Sequence, residues 1–227
     1  VGKTVLVDFL RLEGFRPGYR PPETSIAPER HGLVGTNQRL VLTVVPGQET
    51  PVRHTTLDTL ESGGVDGVVH VVANGFARVT PSAQRQLVSL GTRTVDDYRA
   101  HLHTLEEDDL DAVCEAIRRS CRRHRRPRWV IVACTQADLY GDPRGLAQAS
   151  ERYHPDGRGP FAERLRTLVG QVGSDNLSWT ALPVFAWPED FTWGDTTVLS
   201  DKDIELREQL LARLLEEIDR RSSAGAT

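Results

Sequence analysis

The chain opens with Val1-Gly2-Lys3-Thr4, and the apolar run Val5-Leu6-Val7-Asp8-Phe9-Leu10 follows at once. Gly-Lys-Thr ahead of a helix is the closing half of a phosphate-binding loop of the form G-x-x-x-x-G-K-[ST]. In such a loop the backbone N–H groups and the helix N-terminus hold phosphates, the Lys reaches the β/γ-phosphates, and the hydroxyl binds Mg²⁺. The stretch predicts a helix over residues 5–13 and a phosphate site at Gly2, Lys3 and Thr4, although four residues alone are a weak signal.

Lysine is almost absent from the rest of the chain. Of the 28 cationic residues, only Lys3 and Lys202 are Lys and all others are Arg. A compact ammonium suits a phosphate, so the retention of Lys at position 3 supports the phosphate-site interpretation. Neither the glycine-rich first half of the loop nor the strand before it precedes Val1. The sequence is therefore interpreted as N-terminally truncated.

Composition and charge narrow the class of protein. A chain of 227 residues with 38% hydrophobic and 26% charged residues suits one α/β domain. The net charge of −4 gives no general attraction to nucleic acid or membrane. The three cysteines are odd in number and lack metal-ligand spacing, which indicates reduced thiols in a cytoplasmic protein. No stretch approaches the roughly 18 apolar residues that span a bilayer.

The segment after the first helix contains two candidate catalytic regions. Residues 14–28 form a Pro- and Gly-rich loop, which is either a surface connection or a mobile loop whose Thr24 (or Ser25) hydroxyl meets Mg²⁺. Strands over residues 31–35 and 38–45 follow, and the second runs into Pro46-Gly47-Gln48-Glu49. There the Gly47 N–H can approach a terminal phosphate and Gln48 can orient a water, whereas the structural alternative is a type II turn.

In the middle of the chain, the sequence predicts a helix over residues 52–62. The β-branched run that follows predicts a buried central strand of a parallel sheet over residues 65–73. His70 inside that strand is interpreted as a core histidine. Residues 74–104 predict a helix with loops, and residues 105–126 a helix with an acidic first turn and a basic last turn. No aromatic residues interleave its arginines, which favours a solvated helix end over a nucleic-acid surface.

The second informative stretch is the buried strand Trp129–Cys134, which ends in Thr135-Gln136-Ala137-Asp138. Ligands of open α/β sheets bind outside the carboxyl ends of strands. Asp138 can accept two hydrogen bonds from a guanine, or it can cap the following helix. Beyond it, the sequence predicts a loop over residues 140–160 and a helix over residues 160–172. A last strand at a sheet edge is predicted over residues 180–187. A final helix is predicted from Ser200 to about residue 221, with a weak capping box at Asp203.

In their order and spacing these motifs resemble the small GTPases of the Ras/Arf/Rab-like kind, within the P-loop NTPases. The resemblance covers roughly residues 1–72 and 128–221, with 74–127 as an enlarged or inserted segment. It implies an α/β, three-layer P-loop NTPase fold (a G-domain) with a mostly parallel central sheet, whose first strand is missing from this chain. One domain would span residues 1–221, and residues 222–227 would be a disordered tail.

The resemblance also implies roles for single residues. Lys3 and Thr4 match the phosphate-contacting Lys and the Mg²⁺-binding hydroxyl, and Thr24 matches the first switch threonine, the second metal-binding hydroxyl. Gly47 and Gln48 match the glycine and the hydrolytic glutamine of the second switch. The guanine motif [NT]-K-x-D is matched by Thr135, Gln136 and Asp138. Ala186 is a poor match to the last base-contacting loop. The implied cofactors are GTP/GDP and Mg²⁺.

Two departures from the family pattern weaken hydrolysis more than binding. Val44 stands where the family has an Asp that holds the Mg²⁺ shell through water, and Gln136 replaces the Lys of the guanine motif. The first hypothesis is a guanine-nucleotide switch with slow, Gln48-assisted GTP hydrolysis and a protein effector or regulator. The alternatives are a hydrolysis-deficient scaffold and a P-loop ATPase. Nucleic acid is disfavoured as a partner, and membrane association is left open.

Overall fold

The computed structural model describes residues 2–22, 28–35, 38–44, 57, 60–61, 64–124 and 126–224. Within them the fold is α/β, with a three-stranded parallel sheet of order β3-β4-β5. These strands are Gly67–Val72, Trp129–Cys134 and Ser178–Pro183. All six residues of β4 are buried, as its apolar sequence predicts. The parallel strand predicted over residues 65–73 is confirmed as β3, whose side chains enter both hydrophobic clusters, but in the described sheet it lies at the edge and not in the centre.

Side-chain alternation along β4 divides the core into two halves. Val130, Val132 and Cys134 join one hydrophobic cluster, whereas Trp129, Ile131 and Ala133 join another. Successive side chains of a strand point to opposite faces, so the two clusters lie on opposite faces of the sheet. Helices cover both faces, which gives three layers.

The N-terminal elements belong to the second cluster. Helix α1 spans Lys3–Leu10, a 3₁₀ turn spans Glu13–Phe15, and the strands β1 (Glu29–Val34) and β2 (Arg39–Val44) form an antiparallel hairpin. The predicted hairpin is therefore confirmed. Within the described residues it forms a separate two-stranded sheet. Most of the helix predicted over residues 52–62 lies outside the described residues.

The first cluster is covered by helices from the middle of the chain. Helix α2 spans Pro81–Ser89, and helix α3 spans the 30 residues Val95–His124. Thr94 and Asp97 form a reciprocal capping box, because the N–H of each donates to the side chain of the other at 3.0 Å. The predicted start at residue 105 is therefore ten residues too late. Asp96 and Asp97 occupy its first turn, and the acidic residues that the sequence placed there lie in the middle of the helix: Glu106, Glu107, Asp108, Asp109 and Asp111.

Residues 140–160 are largely helical, which contradicts their prediction as a loop. Helix α4 spans Ala137–Tyr140 and helix α5 spans Pro143–Tyr153. Asp142 caps α5, because its side chain accepts from the Gly145 N–H, and Pro143 occupies the first helical position. Asp-Pro is a helix-start signal as well as a turn signal, and here the helix forms. Helix α6 spans Pro160–Val172, as predicted.

The C-terminal part adds a small hairpin that the sequence did not predict. The strands β6 (Phe191–Trp193) and β7 (Thr196–Val198) follow β5, so β5 is not the last strand. Helix α7 spans Ile204–Ser223. Its N-cap is Asp203 rather than Ser200, and it includes two of the residues assigned to a disordered tail. No helix in the described ranges is long and apolar enough to cross a membrane.

Candidate functional site

The phosphate-loop residues stand at the start of α1. Gly2 is exposed and adopts a left-handed conformation (φ 65°), and its carbonyl accepts the first helical hydrogen bond from the Leu6 N–H at 2.8 Å. Lys3 and Thr4 are partly exposed, and no acidic residue lies in the first turn. An N-terminus of this kind presents backbone N–H groups to an anion. Helix α1 thus begins two residues earlier and ends three residues earlier than the predicted helix over residues 5–13, and the phosphate site at Gly2, Lys3 and Thr4 stays a prediction.

The predicted switch residues are not placed by the structure. Thr24, Gly47 and Gln48 lie outside the described residues, so their assignment remains a prediction. Val44 is described: it is the last residue of β2 and only 9% exposed. An apolar side chain at this position contributes no ligand to a metal shell.

The first residue of the predicted guanine motif has a structural role. Thr135 is buried directly after β4, and both its N–H and its hydroxyl donate to the Val72 carbonyl, at 2.7 and 2.8 Å. These bonds tie the carboxyl end of β4 to that of β3. The Thr135 hydroxyl proton is thus committed to the backbone, so Thr135 acts by holding the edge of the sheet in place.

The next two residues connect the motif to β5. Gln136 is partly exposed and adopts a left-handed conformation (φ 65°), which is uncommon for a residue other than glycine. The Ala137 N–H then donates to the Val184 carbonyl at 3.2 Å, and the Val184 N–H donates to the Cys134 carbonyl at 2.9 Å. The loops that follow β4 and β5 are therefore fixed against each other.

Asp138 lies in the first turn of α4 and is only 3% exposed. Its side chain does not cap α4, because Gln136 occupies the N-cap position. Instead, Oδ2 accepts from the Ser200 hydroxyl at 2.6 Å and from the Glu189 N–H at 3.4 Å. Asp138 is thus held by the segment that follows β5, and the helix-cap alternative is wrong.

The other oxygen of Asp138 is available. Oδ1 is buried and has no hydrogen-bond partner among the described residues. Burial raises the pKa of Asp138, and the hydrogen bond from Ser200 opposes that rise. An unpaired buried carboxylate oxygen is costly, and natural proteins rarely leave one without a function. Among the described residues, Oδ1 is therefore an acceptor without a partner at the carboxyl edge of the sheet.

Ala186 is buried in the loop after β5, and it shares the second hydrophobic cluster with Leu6 and Phe9 of α1. An aromatic chain runs alongside: the Phe9 and Tyr19 rings are 5.5 Å apart, and the Tyr19 and Trp187 rings 5.9 Å. The Tyr19 hydroxyl donates to Asp8 at 2.8 Å. The loop after β5 is therefore packed beside the segment that leaves the predicted phosphate site.

The structure thus brings together the loops that carry Thr135, Gln136, Asp138 and Ala186. Sequence reasoning missed Ser200 and Glu189, the partners that hold Asp138. It also missed Arg78, which pairs with the Glu189 carboxylate and donates to the carbonyl of Asp190 at 2.8 Å. No local motif marks these residues, because they meet Asp138 only through the tertiary fold.

Two groups implied by the resemblance can be compared with these residues. A guanine ring presents donors to a carboxylate, and Asp138 Oδ1 suits one of them while Oδ2 is already occupied by Ser200. For Mg²⁺, the described residues supply the hydroxyl of Thr4, and among them no three His, Cys, Asp or Glu side chains form a metal-binding group. Asp138 Oδ1 can thus accept one of the hydrogen bonds that a guanine donates. For Mg²⁺, the described residues offer one hydroxyl ligand, that of Thr4.

Comparison with protein-family models, with curated proteins and with solved structures gave no match to this chain in any of the three.

Proposed function

We propose that this protein is a guanine-nucleotide-binding switch with slow GTP hydrolysis, built on a three-layer P-loop NTPase fold. The observation that carries the proposal is Asp138: a buried carboxylate at the carboxyl end of β4, held by Ser200, with Oδ1 lacking a partner. A ring N–H or amine of guanine gives that oxygen the donor it lacks, and adenine presents an acceptor at the corresponding ring nitrogen.

The layered architecture supports the same proposal. Helix α1 begins directly after Gly2, as a helix after a phosphate loop does, and it packs on one face of the sheet with α7. The hairpin β1-β2 shares that cluster but pairs separately from β3-β4-β5 within the described residues.

Each residue has a defined role in the proposal. Lys3 would contact the β/γ-phosphates, the Thr4 and Thr24 hydroxyls would hold Mg²⁺, and Gly47 and Gln48 would face the terminal phosphate and the attacking water. Mg²⁺ would supply neutralisation of the phosphate charge. The proposed setting is the cytoplasm, where the thiols stay reduced, with a protein effector or regulator as partner.

The second candidate function is a hydrolysis-deficient scaffold that binds nucleotide weakly or not at all. The observation in its favour is Val44, a buried apolar side chain where the small GTPases have the metal-shell Asp. Without that carboxylate, nucleotide affinity would depend little on Mg²⁺.

Fluorescent GDP and ATP analogues test the proposal when each is titrated into the protein with and without Mg²⁺. We expect binding of the guanine analogue only, and Asp138→Asn should weaken it by about tenfold to a hundredfold, as the loss of a charge-assisted hydrogen bond does. Asp175→Asn is the matched control, because it makes the same charge change at an exposed position. If neither analogue binds at high micromolar concentration, the guanine-nucleotide proposal is wrong and the scaffold function is favoured.

A further inference from the structure

A cavity of about 400 Å³ lies beside the carboxyl end of β3. Its wall combines the loop residue Asn74, Arg99 and His103 from α3, and Arg152 from α5. None of the residues that line it belongs to the proposed nucleotide site. The carboxyl edge of a parallel sheet is where α/β proteins bind ligands, so this position is suited to a site.

Three polar atoms at this cavity have no hydrogen-bond partner among the described residues. They are Asn74 Nδ2, His103 Nε2 and Arg152 Nε, and all three atoms are buried. Asn74 as a whole is only 2% exposed. Buried polar groups in proteins are nearly always paired, and each unpaired one is costly. Three unpaired atoms around one cavity indicate that a ligand supplies the missing partners.

The unpaired atoms and their neighbours are mainly donors. Asn74 Nδ2 and Arg152 Nε can only donate, and the Arg99 guanidinium adds a positive charge 4.5 Å from the centre of the Phe76 ring. Burial, and then the charges of Arg152 and Arg99, lower the pKa of His103 to about 4, so this imidazole is neutral at pH 7. The unpaired donors in this wall are complementary to the oxygens of an anion.

The acidic residues near the cavity do not satisfy these donors. Glu106 uses both oxygens, which accept from the Ala73 and Gly75 N–H groups and from the Tyr153 hydroxyl. Glu107 pairs with the far end of the Arg152 guanidinium and leaves Nε unpaired. Asp96 and Glu151 also line the cavity and offset the charges of Arg99 and Arg152, so a small anion fits better than a polyanion.

The loop that carries Asn74 is held in a demanding conformation. Asn74 and Gly75 both have left-handed backbones, with φ 49° and 77°. A Cβ atom at Gly75 would lie 2.9 Å from Arg99 Cβ and 3.0 Å from His103 Nε2, so the loop can approach α3 this closely only with glycine. Such local strain in proteins concentrates at functional sites.

We propose that this cavity binds a small oxyanion, a carboxylate or phosphate group, through Asn74 Nδ2, Arg152 Nε and the Arg99 guanidinium, with His103 in the wall. The ligand would complete the hydrogen bonding of a preformed site rather than create one. The site is separate from the nucleotide site, so its occupancy does not depend on guanine binding.

The test is a titration of inorganic phosphate into the full chain, with the unfolding temperature as readout and chloride used to keep ionic strength constant. All proteins carry Lys3→Ala, which removes the main phosphate ligand of the proposed nucleotide site. We expect a saturable rise in the unfolding temperature, because a ligand that binds only the folded state stabilises it. A response no larger than that to chloride alone overturns the proposal for phosphate, and the same titration with acetate then tests a carboxylate. No rise with either anion overturns it entirely.

Two variants assign the binding to this cavity. Arg152→Gln should weaken phosphate binding at least tenfold, while Arg144→Gln, an exposed Arg on the same helix outside the cavity, should leave it unchanged. Equal affinity in both variants contradicts the proposal. If Arg152→Gln does not fold, Asn74→Asp replaces the amide donor by a carboxylate of the same size, and Asp tolerates the left-handed backbone. A folded Asn74→Asp variant that binds as tightly as its parent overturns the site.

Discussion

Two acidic residues at the carboxyl edge of the sheet, Glu106 and Asp138, both have carboxyl groups shielded from solvent, but the hydrogen bonds that the two carboxyl groups accept differ. Glu106 accepts three hydrogen bonds: from the Ala73 N–H at 3.0 Å, the Gly75 N–H at 3.3 Å and the Tyr153 hydroxyl at 2.5 Å. Both of its oxygens are used. Asp138 receives its hydrogen bonds on Oδ2 alone, and Oδ1 has no partner in the described part of the chain.

The difference shows that burial alone does not identify a binding group. Burial raises the pKa of both carboxyls, so both would be chosen by a search for perturbed acids. The hydrogen-bond arrangement separates them. Glu106 closes the loop after β3 and has a structural role, whereas Asp138 is held on Oδ2 and has, within the described residues, an unpaired acceptor in Oδ1, which is the feature that the proposed guanine contact uses.

The largest effect is expected from Glu106→Ala. This change leaves two backbone N–H groups and the Tyr153 hydroxyl without their acceptor, and we expect it to lower the free energy of unfolding by about 3 kcal/mol. Urea denaturation measures the loss. Asp108→Ala, at an exposed position of the same helix, is the control and should change stability by less than about 0.5 kcal/mol. Equal effects of the two substitutions would remove the structural role given to Glu106.

A smaller effect is expected from Ser200→Ala. The hydroxyl donates to Asp138 Oδ2 at 2.6 Å, so its loss leaves the carboxylate with only the long bond from the Glu189 N–H. We expect the free energy of unfolding to fall by about 1.5 kcal/mol, with weaker binding of the guanine analogue as Asp138 loses its orientation. Thr197→Ala, which removes an exposed hydroxyl from the neighbouring hairpin, should leave binding intact. Unchanged stability and unchanged binding in Ser200→Ala would contradict the holding role of Ser200.

The smallest effect is a difference in pH dependence. The pKa of Asp138 in the folded protein is raised above 3.8, so between 3.8 and the higher folded pKa the folded state binds more protons than the unfolded state. Stability contributed by this group is therefore present at low pH and lost as pH rises through the folded pKa. Relative to Asp138→Asn, the wild type should become less stable as pH rises above 3.8. Urea unfolding of both proteins between about pH 4 and about pH 7 measures this, and parallel curves would indicate an unshifted pKa.

The sequence predicted the elements whose signals are local. The unbroken apolar run of β4, the hairpin β1-β2 and the helices α6 and α7 are confirmed, because each is marked by composition, periodicity or turn residues within its own length. Helix α5 was missed although Asp142 and Pro143 mark its start, because its Gly and Pro content was interpreted as a loop. The early start of α3 was missed because the acidic run that begins at Glu106 was interpreted as the first turn, and the capping pair Thr94 and Asp97 was not considered.

For the candidate site, the sequence by itself determined which residues stand at the start of α1 and at the end of β4. An apolar strand followed by Thr-Gln-x-Asp places Asp138 at the carboxyl edge of the sheet. Only the tertiary structure decided that Ser200 and Glu189 occupy one of its oxygens, that the other is unpaired, and that Asn74, His103 and Arg152 line one cavity. Backbone conformation depends on neighbouring residues, whereas the pairing of a buried polar atom depends on groups that are distant in sequence and meet only when the layers pack.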